Sequence, residues 1–250
     1  IILKPGFTNK ISTRDKTNSL VIDILNKNVD EIFKGFNHVV IKLYNDEVII
    51  EPLKEEKEQQ IAKSKAFSKT PTAIEIFAGG GTLVKALSDA GIKTVAAVEL
   101  EDKYLQNLET NNPNVTTYCG DLAKLDISML PKADMVVAGI PCEGYSQAQT
   151  KKSEKFEAHP TGSLGFYVLK IIDAIRPAVV LIEEVPNFKS SAMASMTRYV
   201  LDSMGYHISE TELVGSDYGS LTKRKRYCMA ASIKKEFESV GVDTRYIETS

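Results

Sequence analysis

The sequence predicts an α/β fold, a mostly parallel sheet covered by helices, preceded by a small β-rich amino-terminal module. Three observations carry this reading. From Thr72 onward, short apolar runs alternate with segments whose apolar residues recur at helical spacing, the pattern of repeated βα units. Glycine and proline close the strongest runs, as in Phe77-Ala78-Gly79-Gly80-Gly81 and Ala138-Gly139-Ile140-Pro141, and such punctuation marks strands running out into loops. Residues 1–53 lack the alternation and consist of short β-branched runs.

Taken in order, residues 17–25 are apolar and β-branched, residues 28–33 are helix-like, and residues 39–44 and 48–52 flank Asn45-Asp46-Glu47 as a hairpin. Residues 54–71 are charged and carry little apolar periodicity, so the boundary between module and main domain (72–250) belongs there. A strand is expected at 73–77 and a helix at 82–90, with Leu83, Val84 and Leu87 on one face and Gly91 as its stop. A strand at 94–98 ends in Glu99, and a helix at 102–111 has Pro113 just beyond it. Strands at 115–118, 135–138 and 179–182 and helices at 164–175 and 193–204 continue the alternation. Two last strands, 206–214 and 226–233, are joined by the Gly215-Ser216-Asp217-Tyr218-Gly219 loop.

With 250 residues, 43% of them hydrophobic and 26% charged, the chain can bury a substantial core. No apolar run approaches the ~20 residues of a membrane span, and Ile1-Ile2-Leu3-Lys4-Pro5 is too short for a signal peptide. A cytoplasmic protein is expected. Cys119, Cys142 and Cys228, without a Cys-x-x-Cys pair, fit neither a disulfide framework nor a zinc site, and no metal is expected. The net charge of −2 means that any grip on nucleic acid must come from local basic patches.

Cys142 follows a buried run and a Gly-x-Pro step, where open α/β sheets bind ligands beyond the carboxyl ends of their strands. Exposure and a lowered pKa are what a nucleophilic thiol needs, whereas a small buried hydrophobe is the usual alternative for a free cysteine. Glu183 closes its strand at the same sheet edge and is followed by Glu184, so a carboxyl group converges on the thiol; two solvated acids on a loop are the alternative. Arg224 and Arg226, in the basic run Thr222-Lys223-Arg224-Lys225-Arg226, could brace that carboxylate or a phosphate. At the other end of the site, the glycine turn 79–81 lets backbone amides approach a ligand, and Glu99, twenty residues after Gly79, can accept hydrogen bonds from a ribose. Asp121 stands just past the third strand, where an adenine amino group could be met; both acids could instead be helix caps.

These residues together resemble the catalytic domain of the cytosine-C5 DNA methyltransferases over residues 72–232. The resemblance rests on Glu75-Ile76-Phe77-Ala78-Gly79-Gly80-Gly81, Glu99, Gly120-Asp121, Gly139-x-Pro141-Cys142 with Ser146, Glu183-x-Val185-Pro186-Asn187-Phe188, and Arg224-x-Arg226. It implies a Rossmann-like, S-adenosylmethionine-dependent methyltransferase fold acting on cytosine-containing duplex DNA. It also implies that Cys142 attacks C6 of a flipped cytosine, that Glu183 steadies N3, and that Arg224 and Arg226 support the pocket. Phe77, Ala78, Gly79, Gly81, Thr82, Glu99, Leu100, Asp121, Leu122 and Pro141 would line the S-adenosylmethionine site, and residues 143–163 would form a loop that closes over DNA.

The chain departs from the family pattern at Glu143 (for Gln), Glu184 (for Asn), Thr82 (for Gly) and Thr222 (for Gln). No target-recognition domain and no closing Gly-Asn-Ser/Ala-Val segment is legible after Arg226. The expectation is therefore a split enzyme with a second polypeptide supplying recognition, or a chain in which residues 1–53 partly substitute. Residues 8–53 resemble AbrB-type swapped-hairpin DNA-binding domains, which implies a homodimer; a rival reading takes Asn18-Ser19-Leu20-Val21 as the family's closing segment, circularly permuted. Alternative functions are a tRNA cytosine-C5 methyltransferase and a DNA-binding regulator with a degenerate methyltransferase fold.

Overall fold

The computed structural model describes residues 9–12, 36–44, 47–52, 70–141 and 164–233. A seven-stranded sheet forms the body. Its strands are β4 (Thr72–Ile76), β5 (Lys93–Glu99), β6 (Thr116–Cys119), β7 (Met135–Gly139), β8 (Val179–Glu184), β9 (His207–Val214) and β10 (Lys225–Ser232). They lie in the order β6-β5-β4-β7-β8-β10-β9. The first five are mutually parallel, while β10 runs antiparallel to both β8 and β9.

Burial follows position in the sheet. The central strands β4 and β7 are buried along nearly their whole length, as Thr72-Ala73-Ile74-Glu75-Ile76 and Met135-Val136-Val137-Ala138-Gly139, because helices cover both faces. The edge strands β6 and β9 carry their exposed polar residues. One layer holds α1 (Thr82–Asp89), which buries Val84 and Leu87, and α2 (Asp102–Asn111), which buries Leu105 and Leu108. The other holds α3 (Leu164–Ile175) and α4 (Ala192–Ser203), the latter capped by Ser191, whose hydroxyl accepts the Ala194 N–H at 3.0 Å. A Cβ on Gly165 would meet Met193 Cγ at 2.9 Å, so α3 and α4 touch closely where a glycine permits it. Every strand and helix expected from residue 73 onward is present, with ends shifted by a residue or two.

The amino-terminal module forms its own sheet from β1 (Asn9–Ser12), β2 (Val39–Tyr44) and β3 (Glu47–Pro52), in the order β1-β3-β2. The hairpin expected from the sequence is β2–β3, with Tyr44 paired to Glu47; β1, unforeseen, adds antiparallel to β3. Just before this hairpin the chain is fastened to α3. The fully buried Asp173 carboxylate accepts the backbone N–H groups of Asn37 and His38, the second at 3.1 Å, and lies 3.0 Å from the His38 ring nitrogen Nδ1. Phe36 stacks edge-on against Phe166, with ring centroids 5.5 Å apart, and Val39 joins the main core. The expected strand at 17–25, the helix-like segment at 28–33 and the linker from 54 to 69 lie outside the described residues.

Candidate active site

The glycine turn begins one residue after β4, where Phe77 has φ 63°, a left-handed conformation that side chains seldom adopt. Gly79 (φ 52°) and Gly81 (φ 87°) complete a chain reversal, and α1 starts directly from it. The turn is stapled to the end of β5. Gly79 N–H donates to Glu99 Oε2 at 2.8 Å, while Glu99 Oε1 accepts the Leu100 and Glu101 N–H groups at 2.9 and 3.1 Å. A carboxylate has about four acceptor sites, so Glu99 can hold this frame and still receive a ligand hydroxyl.

Around that staple lie the other residues expected at the cofactor end. Ala78 and Gly81 are buried within the turn, Thr82 is exposed at the start of α1, and Pro141 is half-buried after β7. Leu100 is 60% exposed, an apolar surface beside the acid. Asp121 Oδ1 accepts the Ala123 N–H at 3.0 Å and caps the short 3-10 helix Leu122–Lys124, whose Leu122 is buried. The cap role considered for Asp121 is therefore real, and it occupies one carboxylate oxygen. Gly79 and Gly120 are both left-handed, and a Cβ built on either meets nothing within 4 Å, so the backbone there borders open space. Two carboxylates, glycine backbone bordering open space and an apolar side chain suit a ligand with ribose hydroxyls, a flat base and positive charge.

Beneath the turn lies a group the sequence marked only as part of a motif. Glu75 is 2% exposed, its Oε2 has no partner among the described residues, and burial pushes its pKa up to about 8, with the Glu99 charge adding to the rise and the Val84 N–H opposing it.

At the reactive end, β7 and β8 lie side by side, with Gly139 opposite Glu183 and the Ile140 N–H donating to the Glu183 carbonyl at 3.3 Å. Arg226, near the start of β10, forms an ion pair through Nε with Glu183 Oε1. A Cβ on Gly139 would lie 3.6 Å from Glu183 Oε2, ordinary contact distance, so the carboxylate rests against the bare glycine. The structure thus brings Glu183, Arg226 and the Gly139-Ile140-Pro141 step together. Arg224 precedes β10, its side chain is exposed, and its carbonyl accepts the Gly215 N–H at 2.9 Å. Cys142 and residues 143–163 lie outside the described residues.

Glu184 is no solvated loop acid. It is the last residue of β8, 1% exposed, with Oε2 accepting the Val185 N–H at 2.6 Å and Oε1 unpartnered among the described residues. Burial raises its pKa to about 8, the Val185 bond opposes the rise, the Glu183 charge adds to it and Arg226 offsets part. Near neutral pH it is protonated, so one oxygen accepts and the other can donate, which is what an amide does at the same place. Burial likewise pushes the neighbouring Cys228 thiol up to about 11, away from nucleophilic character.

A brace behind the site had no motif to announce it. Arg198 on α4 pairs through Nε with Glu210 of β9 at 2.8 Å and donates through Nη2 to the Lys189 carbonyl at 2.6 Å. The Tyr227 hydroxyl donates to the same Glu210 oxygen, and the Tyr227 ring packs 5.9 Å from Phe188. This ties the 3-10 helix Pro186–Ser190, which follows Glu183-Glu184-Val185, to the strand that carries Arg226.

Residues 72–248 match the model of the C-5 cytosine-specific DNA methylases. The chain belongs to this family. This chain is 30% identical over 156 residues to the type II methyltransferase M.DsaV of Dactylococcopsis salina, covering 61% of this chain and 43% of that protein. It is 29% identical over 174 residues to M.MspI of Moraxella sp, covering 68% and 40%. It therefore spans less than half the length of these curated relatives. Among solved structures it is similar to the Dnmt2 methyltransferase of S. pombe, with a TM-score of 0.55 and 20% identity over 68% of this chain and 51% of that one. That likeness shows the shared fold.

Proposed function

We propose that the chain carries the catalytic centre of a DNA cytosine-C5 methyltransferase that uses S-adenosylmethionine. The observation that carries this reading is the Glu183–Arg226 pair set against the Gly139-Ile140-Pro141 step, one strand away from the glycine turn stapled to Glu99. A base pocket and a ribose-reading acid then share one edge of the sheet, with Cys142 next in the chain after Pro141.

S-adenosylmethionine, when bound, supplies an electrophilic methyl group. Glu99 and Asp121 offer acceptors to its hydroxyls and amino groups, Leu100 an apolar surface to its adenine, and the turn 77–81 its backbone to the remainder. On the substrate side, the Cys142 thiolate adds to C6 of cytosine, and the electron density released at C5 takes the methyl group. Loss of the C5 proton then lets the thiolate leave and restores the aromatic ring. Glu183, oriented by Arg226 and protonated when it meets the base, donates to N3 and accepts from the amino group, which draws density from C6 and favours the addition. Glu184, protonated beside it, adds no negative charge to the pocket.

The test is transfer of labelled methyl groups from S-adenosylmethionine to mixed genomic DNA by the wild-type chain and by Cys142→Ala. Transfer that vanishes in the variant supports the reading. Transfer that survives in the variant sinks it.

A further inference from the structure

We infer that the loop between β9 and β10 is a preformed contact surface for duplex DNA, with Lys223, Arg224 and Lys225 on backbone phosphates and Leu221 as an apolar finger against the bases. It rests on the proposed function in one respect, that a duplex is brought to Glu183.

The position is fixed by β10. Tyr227 pairs with Glu184, and Arg226 reaches Glu183, so the residues just before Arg226 emerge at the rim of the candidate pocket. From Lys223 to Lys225 the side chains are all exposed, and between Gly215 and Lys225 three cations face one acid, Asp217, in a chain whose net charge is −2. A cationic strip on an otherwise acidic protein is the local signature of polyanion binding.

The apolar part is equally unusual. Leu221 is 104% exposed and Tyr218 is 43% exposed, so the tip of the loop holds a leucine that touches almost nothing of its own chain. Burying that side chain on a partner would gain roughly 1.5–3 kcal/mol, which explains how such a residue becomes useful. Phosphate-binding cations beside an apolar residue match the minor-groove style of recognition, in which a leucine or similar side chain presses against a base step.

The loop is built to hold this shape. Gly215 N–H donates to the Arg224 carbonyl at 2.9 Å and Ser220 N–H to the Gly215 carbonyl at 3.0 Å, closing the loop at its base. The Ser220 hydroxyl accepts the Thr222 N–H at 3.3 Å and lies 3.2 Å from the Thr222 hydroxyl, directly flanking Leu221. Gly219 takes a left-handed turn (φ 80°), and a Cβ on Gly215 would strike the Thr222 carbonyl at 2.9 Å. A surface ordered before binding loses little entropy on association.

The experiment is fluorescence anisotropy with a labelled duplex and the full chain, across a salt series, for wild type, Leu221→Ala and the pair Lys223→Gln/Lys225→Gln. The lysine pair should flatten the plot of log affinity against log salt by about 1.8, at about 0.9 for each phosphate no longer neutralised. Leu221→Ala should weaken binding roughly fivefold with an unchanged slope. Thermal midpoints equal to wild type show that the exposed substitutions leave the fold intact. Wild-type slope and affinity in every variant overturn the proposal, as do an absence of duplex binding by wild type and a response seen with tRNA but not with duplex. An adduct with 5-fluorocytosine DNA reports the catalytic reading separately. If the adduct forms while the variants bind normally, the surface is wrong and the reading stands; if the variants lose binding but no adduct forms, the reverse holds.

Discussion

Arg226 Nε is ion-paired to Glu183 Oε1 across the junction of β8 and β10. This antiparallel strand brings a cation to the end of β8, so the pair marks where the late part of the chain meets the parallel part. Glu183→Gln is expected to lower methyl transfer by about 10²–10⁴-fold, the range for a positioned acid or base. Arg226→Lys keeps a charge but loses the planar guanidinium, and should lower it by about tenfold or more. Stability should change by less than about 1 kcal/mol in either variant, because the Glu183 side chain is 38% exposed. Steady-state transfer and urea denaturation on the same samples check both, and a wild-type rate in Glu183→Gln refutes the assignment.

Buried Glu75 and Glu184 make stability depend on pH in an unusual direction. Each has a pKa of about 8 in the fold against an ordinary 4.5. Between those values the folded chain holds protons that the unfolded chain has released. Their contribution is therefore fully present below about pH 4.5, declines as pH rises, and is exhausted above about pH 8. Glu184→Gln should flatten this decline and stabilise the chain at pH 8 by an amount on the order of 2 kcal/mol. Denaturation midpoints at pH 5, 6.5 and 8 measure it, each titration at about constant ionic strength. A variant as pH-sensitive as wild type would show that Glu184 ionises normally.

Most of the fold and the outline of the site were legible in the sequence. The central strands β4 and β7 are read easily, because burial on both faces leaves an uninterrupted apolar run closed by glycine. Glu99 and Glu183 were found because each ends such a run. The environment of a side chain was harder to see. Glu184 follows Glu183 with no local sign that one is buried and the other partly exposed; strand alternation supplies the difference, once β8 is known to run through both. Arg224 and Arg226 differ in local structure, since β10 begins between them. Asp173 and Arg198 make their contacts across 136 and 12 positions of sequence respectively, and no short-range pattern encodes such pairs.

Glu99 should prove to have separable structural and ligand roles. Glu99→Gln retains a carbonyl oxygen for backbone N–H groups but forfeits charge and acceptor capacity. Calorimetric affinity for S-adenosylmethionine is expected to fall about tenfold, at roughly 1.4 kcal/mol for one charge-assisted hydrogen bond. Glu99→Ala should add a drop in thermal midpoint, since the Gly79 and Leu100 amides are left without their acceptor. Equal affinity in Glu99→Gln and wild type would remove this residue from the cofactor site.

Asp173→Ala should unfasten the amino-terminal sheet. It deprives the Asn37 and His38 amides of their acceptor, and such a deletion at a buried site costs about 1–3 kcal/mol for each group. Hydrogen exchange at Asn37, His38 and Val39 should quicken in the variant while β4 and β7 stay protected. Unchanged protection at these amides would mean that other interactions hold the segment.

The place of β10 between β8 and β9 has a consequence for how the protein comes into being. The sheet is not laid down in chain order: β9 is made first, yet it reaches the sheet only through β10. A growing chain that has been synthesised as far as Gly205 carries β8 with an open edge, a template for pairing with the wrong partner. Closing it needs the return of residues 225–232, a non-local step of the kind that slows folding and lengthens exposure to aggregation. The same strand delivers Arg226 to Glu183. Assembly of the Glu183–Arg226 pair is thus coupled to completion of the sheet, and no shorter intermediate holds both partners in place.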